Sequence, residues 1–345
     1  MELITIAALT PQGAALARRL REGLGNAACR LPRRFAQDRR EEVPFDRVAE
    51  VFQEAFVHKQ PLVCVMAAGI VVRGIAPHLK SKASDPPVVV VDEAGKFAVS
   101  LLSGHLGGAN DLACRVAQVL GGQAVITTAT DVNNLPALDV LAPRLGLAVE
   151  NLDAVRAIHM ALLAGEPVRL VDRQGGLTEA LQEQQEWFIV ETDLAAALGA
   201  PAPGVYVGWE ERRWPREWLR LRARVLVAGI GCHHETPAGE VVDLLRHIFQ
   251  QEGLSLLSLK ALATIEARKD APGLKAAARE LGVDLQWFSA DSLKNIETPT
   301  PSPAAARHLG VASVCEAAAL KAAGGPLIVT KCKSANVTLA VARAA

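Results

Sequence analysis

Five stretches of this chain combine residue types that bind anions, move protons or hold carboxylates. In Ser-Gly-His-Leu-Gly-Gly-Ala-Asn-Asp, residues 103–111, His105 sits where a strand gives way to a turn, among Gly104, Gly107 and Gly108. Residues without a Cβ leave their amides open and reach positive φ, and Asn110 or Asp111 can cap a following helix. With Ser103 alongside, that pattern suits an anion or oxyanion next to a titratable group. A plain glycine-rich turn with a solvated histidine is the competing account. The spacing is not G-x-G-x-x-G, so the dinucleotide fingerprint fails.

Residues 67–86 place Arg73, His78, Lys80 and Lys82 near glycine- and proline-rich turns. Such a set holds carboxylates, Arg73 being best suited to a two-pronged contact, although an ordinary solvated basic face has the same spacing. Thr-Thr-Ala-Thr-Asp-Val-Asn-Asn at 127–134 follows a strand, at the carboxyl edge where open α/β sheets bind ligands. Asp131 there is either a general base or, with Thr130, a simple helix cap. At 229–237, Cys232, His233, His234 and Glu235 invite a metal reading, but adjacent residues seldom converge on one ion, so no metal is expected. A glycine turn offering amides and the His233 imidazole to an anion fits better. Lys331 and Lys333, just after a strand, share a side at i and i+2 and make a carboxylate clamp.

The elements that must carry these groups alternate. Residues 2–9 form a buried strand, Thr10-Pro11 opens a helix over 12–24, an irregular basic stretch covers 30–40, and a helical pattern spans 45–57. Strands follow at 62–66 and 88–91, the second with a hairpin partner at 97–102. Gly69, Gly74 and Pro77 break up the segment between those two strands. A helix at 110–120, a strand at 124–128 and a further helix opening at 131–136 complete the first series. From about 151 to 222 the texture changes to shorter elements, the Pro-rich PAPG and the charged run WEERRWPREW, a stretch that reads as a smaller middle domain plus a linker. A fresh series begins with a strand at 224–230 and a helix at 238–252. It continues through 255–266, 273–281 and 285–289, the helical CEAAALKAAGG, and a strand at 327–330. The expectation is an α/β protein: N-terminal and C-terminal α/β domains with mainly parallel sheets (1–148 and 223–345), joined by a smaller middle α/β domain and linker (149–222).

At 345 residues the chain is long enough for several cores. Its 37 Lys and Arg balance 37 Asp and Glu, which leaves no global field to attract nucleic acid, so no nucleic-acid partner is expected. No apolar run approaches the ~20 residues of a membrane span, and Glu2 stands where a signal peptide would be basic. Six scattered cysteines without a C-x-x-C pair suit free thiols, and a cytoplasmic location is expected.

The strings MAAGIVVRGIAPHLKSKASDP, VVVVDEAGKFAVSLLSGHLGGANDLA and VITTATDV resemble the N-terminal domain of the CbiG family of cobalamin biosynthesis, and GIGC, SVCEAAAL and TKCKSANVTLAVA resemble its C-terminal domain. The likeness covers nearly the whole chain in the family's order. It departs after GIGC, where His233-His234-Glu235 replace a basic residue and a small turn, and at Arg268 and Ala271, where Lys and Glu are expected. The absent carboxylate argues against a catalytic role for that last stretch. The resemblance implies opening of a δ-lactone on cobalt-precorrin-5A and loss of the C20 unit as acetaldehyde. The cobalt arrives with the substrate and no cofactor is needed. It casts His105 as general base or acid with Asp131 as competitor. Gly104, Gly107, Gly108 and Asn110 become oxyanion donors, and Arg73, Lys82, Lys331 and Lys333 become carboxylate clamps. The partner expected is a small-molecule corrin precursor, with a homodimer and transient contacts to neighbouring pathway enzymes left open. A non-catalytic tetrapyrrole carrier is the rival reading.

Overall fold

The computed structural model describes residues 3–37, 41–81, 84–104, 107–199 and 203–345. Two compact units divide the chain between Val140 and Leu141. The first begins with β1 (Ile4–Ala8), buried throughout. Thr10 then caps α1 (Pro11–Leu24), its hydroxyl accepting from the Gly13 amide at 3.0 Å, with Pro11 in the first turn. There follow β2 (Ala27–Pro32), β3 (Glu42–Phe45), α2 (Val48–Val57), β4 (Leu62–Val65), α3 (Ala68–Ile75), β5 (Val88–Val91), β6 (Phe97–Leu102), α4 (Ala109–Leu120), β7 (Gln123–Val125) and α5 (Ala129–Val132).

These strands form one seven-stranded sheet in the order β3-β2-β1-β4-β5-β6-β7. Period-two alternation divides its side chains between two layers. Val63, Val65, Val89 and Val91 pack with α1 and α4, whereas Leu62, Cys64, Val88 and Val90 pack with Phe52, Val71 and Ile75 of α2 and α3. Burial on both faces explains why these strands are unbroken apolar runs. Pairing is parallel except in the β5–β6 hairpin, so β6 and β7 run opposite to the rest. The carboxyl ends of β6 and β7 therefore lie at the amino edge of the central strands. That relocates the stretch around Asp131 relative to the expected ligand edge of an open sheet.

Three local expectations are corrected. The irregular stretch at 30–40 contains the end of β2, whose neighbour β3 ends at Phe45, so α2 begins only at Val48. Arg30 obscured the pattern, since its guanidinium reaches out to Glu54 while Cys29 and Leu31 are buried beside it. Gly74 does not break the chain but belongs to α3, where any Cβ would overlap the Phe52 ring.

After α6 (Leu138–Arg144), the second unit carries two sheets. β8 (Leu147–Val149), α7 (Leu152–Leu163), β9 (Val168–Asp172), α8 (Gly176–Leu181), β10 (Phe188–Val190), α9 (Leu194–Leu198), β11 (Gly204–Val207) and β12 (Trp218–Ala223) form a middle layer with strand order β10-β9-β11-β12-β8. The charged run WEERRWPREW is folded into it. Trp214 stacks on Tyr206 at 4.5 Å, and Trp209 packs on the following core. Arg222 is wholly buried, paired with Glu150 and with Glu211 at 2.7 Å, and it donates to the Glu210 carbonyl. A charge so enclosed is held by its partners; removing one typically costs about 3–5 kcal/mol.

The last sheet is built from β13 (Leu226–Cys232), α10 (Ala238–Gln251), β14 (Leu259–Ile265), α11 (Pro272–Leu281), β15 (Asp284–Phe288), α12 (Ala290–Lys294), α13 (Pro303–Leu309), α14 (Val314–Ala323), β16 (Leu327–Lys333) and β17 (Val337–Arg343), in the order β15-β14-β13-β17-β16. Pairing is parallel from β15 to β13 and antiparallel beyond it. The three sheets make a mixed, mostly parallel α/β protein. Among the described residues, no helix is long and apolar enough to cross a membrane.

Candidate functional site

In the N-terminal unit the chemistry-bearing residues collect where β6 and β7 end. Ser103 leaves β6 with φ +58°, and its hydroxyl donates to the Asp85 carbonyl at 2.9 Å. Asp85 is buried and accepts the Lys80 amide through both carboxylate oxygens, at 3.1 and 3.0 Å. The basic turn is thereby fastened to the end of β6. The carbonyls of Ser103 and Gly104 accept the first amides of α4, those of Ala109 and Asn110, each at 3.1 Å. Glycine is required for this closure, because a Cβ on Gly107 would overlap Ser103 and Gly108 takes φ +84°. Among the described residues, the amides of Gly107 and Gly108 have no acceptor, and both glycines line a cavity of about 210 Å³ with Asp111 and Arg115.

Asn110 is not an oxyanion donor. Its Oδ1 accepts from the Ser100 hydroxyl at 2.6 Å, and its Nδ2 donates to Thr128 at 3.3 Å and to Asp131 Oδ2 at 3.0 Å. Both amide hydrogens are committed, so its role is to orient Asp131. Asp131 is exposed in the first turn of α5 and is not the cap; that position belongs to Thr128. Arg73, at the end of α3, is exposed, with its guanidinium lying over Gly69 and no paired carboxylate among the described residues. His105 and Lys82 lie outside the described residues.

The C-terminal residues meet at a separate cavity of about 640 Å³, at the carboxyl ends of β13 and β14 and beside the start of α14. Gly229 and Gly231 lie within β13 rather than in the expected turn, and Gly231 lines the cavity. Their purpose is packing: a Cβ on Gly229 would overlap the Cys315 carbonyl, so α14 lies directly on the strand. His233, Lys331 and Lys333 line the cavity. The two lysines are not a matched clamp, however. The pairing register shifts between Val329 and Cys332; Lys331 is half-buried with its ammonium on the Thr300 carbonyl, while Lys333 is exposed.

Sequence reasoning missed Glu316, which is fully buried and accepts from the Thr300 hydroxyl at 2.6 Å and the Lys331 amide at 3.1 Å. Its helix register in SVCEAAAL points inward, the one available signal. The stretch holding Arg268 carries no catalytic expectation either, yet Arg268 lines the cavity, as does His308 of α13. Burial pushes the Cys232 and Cys315 thiols up, so both stay protonated near neutral pH and are poor nucleophiles.

Three mostly parallel α/β sheets in one chain, with a carboxylate oriented by Asn110 and a separate basic cavity, define a multidomain α/β protein for small-molecule chemistry. Three family models divide the chain in the same order: Cobalamin synthesis G N-terminal over residues 50–131, Cobalamin biosynthesis central region over 136–224 and Cobalamin synthesis G C-terminus over 226–342. The chain belongs to this cobalamin biosynthesis G family. It is 36% identical to the cobalt-precorrin-5A hydrolase of Salmonella typhimurium over 98% of this chain and 97% of that one. It is 33% identical to that of Priestia megaterium over 81% and 78%. A stretch covering 34% of the chain is 35% identical to protein CobE of a Sinorhizobium species, spanning 79% of that protein.

Proposed function

We propose that this protein is a hydrolase of cobalamin biosynthesis that opens the δ-lactone of cobalt-precorrin-5A and releases the C20 unit as acetaldehyde, giving cobalt-precorrin-5B. The observation that carries the reading is the 36% identity, along 98% of the chain, to a relative bearing that name. The same likeness disfavours the carrier alternative.

In this reading Asp131 takes a proton from water as the water adds to the lactone carbonyl, a role supported by its bond to Asn110 and its exposure to solvent. The amides of Gly107 and Gly108, which have no acceptor among the described residues, are the candidates to receive an oxyanion. Collapse breaks the acyl–oxygen bond and leaves a carboxylate and a C20 hydroxyl. Deprotonating that hydroxyl lets the carbon–carbon bond break; acetaldehyde departs and the macrocycle keeps the electron pair and gains a proton. These acid–base steps call for no cofactor, the cobalt travelling with the substrate. His105, the leading base or acid by the resemblance, remains the alternative to Asp131 in this role. A cytoplasmic setting is supported by six cysteines that are all free.

Purified protein incubated with enzymatically prepared cobalt-precorrin-5A tests the reading. Stoichiometric acetaldehyde with the matching loss of macrocycle mass supports it, and an unchanged, protein-bound macrocycle returns the carrier. His105→Ala with normal turnover would remove His105 as the base.

A further inference from the structure

The cavity between β13, β14, α13, α14 and β16 has an unusual charge. His233, Arg268, His308, Lys331 and Lys333 line it, and no Asp or Glu is among the described residues that do. Ile265, Val314 and Val337 give it apolar wall as well. Its cations are not equivalent. Lys331 is tied to the Thr300 carbonyl, and Lys333, His233 and His308 are exposed. Arg268 is half-buried and held by two backbone acceptors: its Nε donates to the Cys232 carbonyl at 2.7 Å and its Nη1 to the Ala267 carbonyl at 3.1 Å. A guanidinium has five N–H donors, so three remain, including both on Nη2. A planar donor already fixed by its own backbone loses little freedom when a carboxylate docks, unlike a free lysine.

We propose that Arg268 is the anchoring residue of a carboxylate-binding site in this cavity, which seats acidic side chains of an apolar macrocycle, with Lys333 as an auxiliary cation and His308 as an auxiliary hydrogen-bonding group. This rests on the function proposed above for the identity of the macrocycle, but not for the chemistry of the site. Arg268 stands where the resemblance led to a lysine being expected, and the bonds to Cys232 and Ala267 are ones that a lysine cannot duplicate. The substitution thus adds a fixed fork rather than merely keeping a charge.

The test uses the full chain and two ligands. Uroporphyrin III, a stable tetrapyrrole carrying carboxylates around its rim, is titrated by fluorescence against wild type, Arg268→Gln, Arg268→Lys, Lys333→Gln and the remote Arg246→Gln, with thermal melts confirming folding. Turnover of cobalt-precorrin-5A is followed in parallel. The expected result is at least about tenfold weaker porphyrin binding and a KM raised about tenfold for Arg268→Gln, with kcat within about threefold. Arg268→Lys should restore only part of that, Lys333→Gln should lose a few-fold, and Arg246→Gln should match wild type. Equal losses in Arg246→Gln and Arg268→Gln, or unchanged porphyrin binding and KM in a folded Arg268→Gln, overturn the proposal. If the chain does not turn over the precursor but porphyrin binding still depends on Arg268, the proposed reaction fails and the site stands.

Discussion

Where β6 and β7 end, polar side chains are bonded mainly to one another; around the C-terminal cavity, cations line the wall with no carboxylate among them. Ser100, Asn110, Thr128 and Asp131 form a chain of hydrogen bonds that sets one carboxylate in place. The cavity wall instead offers charge over about 640 Å³, with Arg268 and Lys331 anchored by backbone carbonyls. The first arrangement suits a reaction at one bond, which needs a fixed proton acceptor. The second suits holding an anion with several attachment points. Orientation and charge are thus supplied by different parts of the chain.

The contrast can be broken most sharply at Asp131. Asp131→Asn should lower kcat by about 10²-fold or more, the usual contribution of a general base, with KM nearly unchanged in steady-state acetaldehyde assays. Gly229→Ala tests the packing behind the cavity. The new methyl would overlap the Cys315 carbonyl, and about 2 kcal/mol or more should be lost in urea melts. Asn110→Ala should reduce kcat about tenfold without raising KM and cost about 1–3 kcal/mol, since the Ser100 hydroxyl loses its acceptor. An equal rise in KM would merge the two regions into one binding site. Cys232→Ala and Cys315→Ala should each change kcat less than about threefold, because a thiol whose ionisation is pushed up by burial carries little thiolate at neutral pH. A loss near 10²-fold would transfer the chemistry to the cavity.

Much of the scaffold was legible. Thr10-Pro11 announced α1, the valine run announced β5, and the strand–helix alternation announced the sheets. The failures share a physical cause. Gly74 and Gly229 were taken as turn or breaker residues because local sequence does not reveal what approaches a missing Cβ; in the fold one admits Phe52 and the other admits α14. Asn110 was assigned to the substrate because the string does not show that Ser100, Thr128 and Asp131 already saturate it. Arg268 escapes notice because the neighbouring Ala271 lacks a carboxylate, yet Ala271 is a buried helix cap and Arg268 is held by the carbonyl of Cys232, far off in sequence, as well as by that of its neighbour Ala267. Side-chain types were readable from the string; which of their hydrogen-bonding groups remain free was not.

The central claim is that the chain opens the lactone with water. Turnover of cobalt-precorrin-5A in water enriched with heavy oxygen, followed by mass spectrometry of the macrocycle, tests it most directly. One heavy oxygen in the newly freed carboxylate of the product, with acetaldehyde released in equal amount, is the predicted result. Acetaldehyde release with an unlabelled macrocycle would contradict it, because the lactone would then have opened without water attacking its carbonyl.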